Sequence, residues 1–201
     1  MGVLNVTPDS FSDGGAWLDP ECALRQAEHL LEGGASILDV GGESTRPGAK
    51  PVTEEEEIGR TEPIVRAVRE TFPQVMISID TSKAAVARAA LNAGADIVND
   101  VTGLRGDPAM LGLCVRADCA VVVMHMRGDP TTMQNAPAYR NVVAEVGEFF
   151  RERLEVCLAA GMNPERICFD PGIGFGKSLD HNLELLRSGV HLAPAGHELL
   201  W

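Results

Sequence analysis

Short aliphatic runs recur along the chain. Between them lie longer stretches in which apolar positions return every three or four residues. The runs are Met1–Leu4, Ser36–Val40, Val75–Asp80, Ala95–Asn99, Ala120–Met124 and Ile167–Asp170, and Glu198–Trp201 opens a seventh. Their length and their Val and Ile content predict strands buried on both faces. The intervening patterns predict helices over Asp19–Leu31, Thr53–Thr71, Ser82–Ala93, Asp107–Arg116, Tyr139–Ala160 and Leu179–Arg187. Asp19-Pro20 reads as an N-cap followed by proline at the first helical position. Thr53-Glu54-Glu55-Glu56 reads as a capping box, so the acidic run Glu54–Glu57 is expected to be a solvent-facing first turn rather than a metal site. Gly94 and Gly161 sit where helices stop.

Strands alternating with helices, without a Ser-, Gly- or Pro-rich linker, predict one α/β domain over residues 1–201. A doubly wound sheet and a (β/α)8 TIM barrel both fit the alternation. Polar residues close nearly every strand: Asn5, Asp39, Asp80, Asn99, His125 and Asp170. In a barrel those ends meet on one face, where active sites lie, whereas an open sheet spreads them along a line. The expectation is therefore a barrel, incomplete, with about seven strands present.

Composition narrows the function. Seventeen Lys and Arg against 29 Asp and Glu give a formal charge of −12. That balance argues against nucleic acid or an anionic membrane as partner, while a few placed arginines and backbone amides still suffice for a small anion. No apolar run is long enough to span a bilayer, and Met1–Asn5 lacks the basic start and apolar stretch of a signal peptide. Five cysteines without a CxxC pair fit reduced thiols, and a cytoplasmic location is expected.

The candidate chemistry lies at the strand ends and in the loops after them. A carboxylate such as Asp80 or Asp170 accepts two N–H bonds from an amino-pyrimidine edge, and Asn99 both donates and accepts. Asp39, directly before a Gly pair, reads as a loop brace. The loop cluster Ser44-Thr45-Arg46 offers hydroxyl and guanidinium donors suited to phosphate oxygens. His125, between Met124 and Met126, reads as a hydrogen-bonded structural histidine rather than a base. The segment Asp170–Ser178 ends like a P-loop. Pro171 occupies the place of the required first glycine, which rejects an NTPase. Gly172 and Gly174 then predict backbone lying close against a ligand, with Phe175 as a stacking wall.

In order, MGVLNVTPDSFSDGG at 1–15, ILDVGGESTRPGA at 37–49, ISIDT at 77–81, GADIVNDVTG at 94–103, MHM at 124–126 and FDPGIGFGK at 169–177 resemble dihydropteroate synthase, the sulfonamide-inhibited family of folate biosynthesis. The resemblance implies a transferase on a (β/α)8 barrel, usually a homodimer. It joins hydroxymethyl-dihydropterin diphosphate to 4-aminobenzoate with Mg²⁺ and releases diphosphate. It implies Asp80, Asn99 and Asp170 on the pterin edge, with Met124 and Phe175 nearby. Asn5 falls at the Mg²⁺–diphosphate end, and Thr45 and Arg46 fall on diphosphate and aminobenzoate. The Thr7–Gly15 loop closes over the substrate. The family pattern continues beyond Trp201 with a Ser-Arg-Lys motif and an Arg-x-His pair, so the chain is expected to be a C-terminally truncated or partial form, and its own turnover is left open. The other reading is a pterin-binding module without synthase chemistry, such as a methyltetrahydrofolate-binding methyltransferase domain. The 7–13 and 44–47 loops favour the synthase, because such a module has no diphosphate or aminobenzoate for them to serve.

Overall fold

The computed structural model describes residues 1–7, 20–44, 51–128, 133 and 137–201. They fall into two compact units, one ending at Asn99 and one beginning at Asp100. In the first unit the elements run β1 (Gly2–Asn5), α1 (Pro20–Glu32), β2 (Ile37–Gly41), α2 (Glu54–Thr71), β3 (Met76–Asp80), α3 (Ala84–Ala93) and β4 (Ile97–Asp100), whose last residue begins the second unit. The strands are all parallel and lie side by side in chain order. A doubly wound sheet reverses strand order at a switch point, and this unit does not.

Local chemistry sets these elements. Thr53 caps α2 by accepting from the Glu56 amide at 3.2 Å. Gly94 ends α3 in the left-handed conformation at φ 115°, its N–H directed to the Ala90 and Leu91 carbonyls. Arg69 of α2 then clamps the next connection. It donates to the Gly94 and Val75 carbonyls and pairs with Asp96 at 2.6 Å, and Asp96 also accepts from the Ile77 amide. The core is aliphatic: Leu4, Leu38, Val40, Ile77, Ile79 and Val98 from the strands, Ile64, Val65, Val68 and Val86 from the helices.

The acidic run that opens α2 departs from expectation. Glu54, Glu55 and Glu56 are exposed, but Glu57 is fully buried. The helical turn carries the fourth residue to the inner face, where the Lys83 ammonium donates to Glu57 at 2.5 Å and to Glu43 at 2.6 Å. These two carboxylates hold the Lys83 pKa above its usual value although burial opposes the charge. Arg60 donates to the Gly42 carbonyl at 2.8 Å and pairs with Glu56. The turn after β2 is thus fastened to the first turns of α2.

The second unit holds α4 (Met110–Ala117), β5 (Ala120–Met124), α5 (Val142–Ala159), β6 (Ile167–Asp170) and α6 (Leu179–Ser188), with short 3-10 turns at Pro164–Arg166 and Gly189–Leu192. β5 and β6 are parallel neighbours, and beside β6 a parallel bridge joins Phe169 to Leu199 where the seventh strand is expected. Phe150 of α5 packs on Phe169 with ring centroids 4.8 Å apart. α5 begins at Val142 rather than Tyr139, because Asn141 is the residue whose side chain accepts from the Ala144 amide. α4 begins at Met110 rather than Asp107, whose carboxylate instead braces the Ala109 amide. The fold class is α/β, and each unit repeats the strand–helix step of a (β/α)8 barrel in chain order. Among the described residues no helix is long and apolar enough to cross a membrane.

Lys83→Met leaves Glu57 buried without its cation and is expected to lower unfolding free energy by about 3 kcal/mol. The double variant Lys83→Met, Glu57→Gln is expected to recover part of that loss. Urea unfolding of the two variants and the parent checks both outcomes.

Candidate functional site

Parallel register places the strand ends of the first unit at one level. Asn5 is paired with Gly41, Gly41 with Asp80, and Asp80 with Asn99. Gly41 has no side chain between its neighbours. A Cβ there would lie 3.4 Å from Asp80 Oδ2 and 3.6 Å from Asn5 Oδ1, so both oxygens face the gap that glycine leaves. Asn5 is exposed and Asp80 half-buried.

Asn99 is buried, and its amide donates to Asp39 Oδ2 at 3.1 Å. That bond fixes the amide's orientation. Its Oδ1 is buried with no hydrogen-bond partner among the described residues, as is the neighbouring Asp39 Oδ1. Asp39 is a brace, as expected, but its object is the Asn99 side chain rather than the loop. Burial pushes the Asp39 carboxyl above its usual range. The Ser78 hydroxyl and the Asn99 amide, which favour the ionised form, offset this only partly.

In the second unit Met124 is paired with Asp170 across β5 and β6. Met124, Met126, Met133 and Val101 form an apolar cluster against which Phe175 packs. The Asp170 carboxylate accepts from the Gly172 amide at 2.7 Å. Thr45 and Arg46 lie outside the described residues, as does the loop from residue 8 to residue 19. The structure therefore brings together Asn5, Asp80 and Asn99 in one unit and Met124, Asp170 and Phe175 in the other.

The glycines after β6 do something other than expected. A Cβ on Gly172 would sit 2.1 Å from the His125 carbonyl oxygen, and one on Gly176 2.5 Å from the Arg127 carbonyl oxygen. Both have positive φ, 66° and 64°. What they admit is protein backbone, not a ligand, whereas a Cβ on Gly174 would meet nothing within 4 Å.

Between those approaches lies Lys177, which sequence reasoning passed over. It is 3% exposed. Its Nζ donates to the carbonyls of His125 at 3.1 Å, Gly172 at 3.0 Å and Phe175 at 3.0 Å, and lies 3.1 Å from His125 Nδ1. Burial pulls its pKa down to about 7, with Asp170 acting in the opposite sense. Burial, together with the Lys177 charge, pushes His125 down to about 3, so His125 is neutral. Phe149 meets the His125 ring edge-on at 5.0 Å, and the histidine is structural, as expected. The available signal for Lys177 was a lone lysine inside a glycine-rich stretch that also carries Asp170 and Phe175.

The profile of the family described as pterin binding enzyme matches residues 1–195. The dihydropteroate synthase of Synechocystis sp. is 46% identical over 200 residues, which is 100% of this chain and 69% of that protein. The Yersinia pestis dihydropteroate synthase, solved as a sulfonamide drug complex, superposes with a TM-score of 0.91 at 43% identity, covering 98% of this chain and 71% of that one. The Xanthomonas albilineans enzyme, solved with 4-aminobenzoic acid, gives a TM-score of 0.90 at 43% identity, covering 98% and 70%.

The Lys177 shift carries a sign. Between about 7 in the folded chain and 10.5 in the unfolded one, the unfolded state binds a proton that the folded state does not. Stability from this group therefore rises with pH across that interval, by at most about 1.4 kcal/mol per unit. Unfolding free energies of the parent minus those of Lys177→Met, measured from pH 7 to 10, are expected to increase.

Proposed function

The chain belongs to the dihydropteroate synthases among the pterin binding enzymes, and from that membership we propose that it joins hydroxymethyl-dihydropterin diphosphate to 4-aminobenzoate, giving dihydropteroate and diphosphate. The observation that carries the reading is the buried, unpartnered Asn99 Oδ1 standing in register beside the Asp80 carboxylate. An amino-pyrimidine edge supplies N–H donors to both, and an acceptor buried without a partner costs about 1–3 kcal/mol until one arrives. Asp80, Asn99 and Asp170 hold the pterin edge, and Met124 and Phe175 offer apolar faces to the flat ring. Thr45 and Arg46 take the diphosphate and seat the aminobenzoate, the arginine offsetting charge on the leaving group.

The C–O bond between the pterin methylene and diphosphate breaks first, and the amine of aminobenzoate then forms a C–N bond to the methylene cation. Diphosphate leaves with the electron pair, and the amine loses a proton. Carboxylates beside the ring tolerate the positive charge left on it.

Mg²⁺ fits this donor set. Asn5 and Asp80 turn hard oxygens toward Gly41, two oxygen donors from neighbouring strand ends. That sparse set suits a cation that takes most of its ligands from a diphosphate and from water. Asn5 would hold it, and when bound it supplies charge neutralisation at the diphosphate. The five cysteines are free thiols, consistent with the cytoplasm. Leu179, Leu183 and Leu186 of α6, with Val190 after it, present an exposed apolar stripe, which supports a homodimer.

Incubating the protein with the pterin diphosphate, labelled 4-aminobenzoate and Mg²⁺ is expected to yield labelled dihydropteroate. Asn99→Ala and Asp80→Ala are expected to raise the pterin KM by roughly 10-fold or more. Pterin binding without product, or turnover indifferent to both substitutions, would overturn the assignment. Light scattering is expected to show a dimer that Leu183→Glu with Leu186→Glu converts to a monomer.

A further inference from the structure

We propose that Lys177 is a positioning residue for the pterin side of the reaction, its buried ammonium fixing Asp170 and Phe175 through the backbone of the loop that carries them. The inference deepens the pterin reading of Asp170 and Phe175 and rests on it.

Three carbonyl oxygens converge on one Nζ: His125 at the end of β5, and Gly172 and Phe175 in the loop after β6. An ammonium has three N–H donors, one for each carbonyl. The neutral His125 turns Nδ1 toward the same centre at 3.1 Å. Removing the cation takes a donor from all three carbonyls at once and leaves the Gly172 carbonyl only the Phe175 amide, a setting that favours their moving apart.

Two short paths lead from Nζ to the pterin-facing groups. Nζ holds the Gly172 carbonyl at 3.0 Å, and the N–H of the same residue holds Asp170 Oδ1 at 2.7 Å. Nζ also holds the Phe175 carbonyl, while the Phe175 amide returns to the Gly172 carbonyl at 3.0 Å. The side chain that packs on the Met124 cluster and the carboxylate beside Met124 in register are therefore referenced to one buried charge.

The loop reaches this seat only because Gly172 and Gly176 let it touch the 125–127 backbone. Tyr139 adds a third tie, donating to the Gly176 carbonyl at 3.0 Å. Lys177 is nevertheless the one member of this set whose bonds reach both the strand end and the residues on either side of the loop tip.

A lysine that served stability alone would affect both substrates alike. A positioning lysine affects the pterin. Lys177→Met keeps the stem and removes the donors. It is expected to raise the pterin diphosphate KM by about 10- to 100-fold while the 4-aminobenzoate KM at saturating pterin stays within about twofold. Lys177→Gln, which retains two donors, is expected to fall between parent and Lys177→Met. Ethylammonium added to Lys177→Ala is expected to restore pterin KM in part.

An unchanged pterin KM in Lys177→Met, or equal shifts in both KM values, would overturn the positioning role and leave the synthase reading intact. Direct titration with the dihydropterin, read by fluorescence, separates the two levels. A parent protein that binds no pterin removes the pterin reading and the positioning role together. A parent that binds, with Lys177→Met binding equally well, removes the positioning role alone.

Discussion

Parallel pairing in register is the constraint on which the rest turns. When neighbouring strands start and stop at matched residues, the last side chain of each arrives at the same height, whatever the helices between them do. Asn5, Asp80 and Asn99 become neighbours in this way although nearly a hundred residues separate the first from the last. Gly41 interrupts the row by design of the pleat, and its missing side chain is what allows two polar tips to face a common gap. A slip of one residue in any strand would turn its polar end to the other face, and a slip toward the strand's start would put Leu4, Ile79 or Val98 in its place.

Two lysines, one half-buried and one buried, show opposite ways of holding a charge away from water. Lys83 lies between the carboxylates of Glu43 and Glu57, so its charge is matched and its proton held more firmly than in water. Lys177 donates to neutral carbonyls beside a neutral imidazole, and burial outweighs the opposing charge of Asp170, so its proton is held less firmly. The first arrangement fastens the turn after β2 to a helix. The second fastens the loop after β6 to the strand beside it. In both units a loop that leaves a strand end is tied down by one ammonium, not by packing alone.

Much of this was readable in the chain. Aliphatic runs closed by Asn or Asp marked the strands and the polar ends, and Thr53 and Gly94 marked helix boundaries because their chemistry is local. Glu57 was misjudged because a run of four like residues conceals the 100° turn that separates an exposed position from a buried one. Gly172 and Gly174 read as backbone close against a ligand, yet the close approaches fall at Gly172 and Gly176 and are to main chain, since a sequence shows the need for space but not what fills it. Lys177 was invisible as anything but a motif fragment, because its partners are main-chain carbonyls, which every residue possesses. Asn99 could be nominated from its place at a strand end, but that one of its two amide atoms is engaged and the other left over depends on Asp39, sixty residues away.

The seat of the loop after β6 also dictates where this family of sequences has room to drift. Any side chain at 172 or 176 would collide with the main chain opposite, and 177 must carry a cation of fixed reach. Between them, Ile173 is only half-buried and Gly174 is exposed with open space beside it. Inherited variation in the segment should therefore collect at its two-residue crest while its feet stay invariant, so that lineages can alter the outer surface of the loop without unseating it.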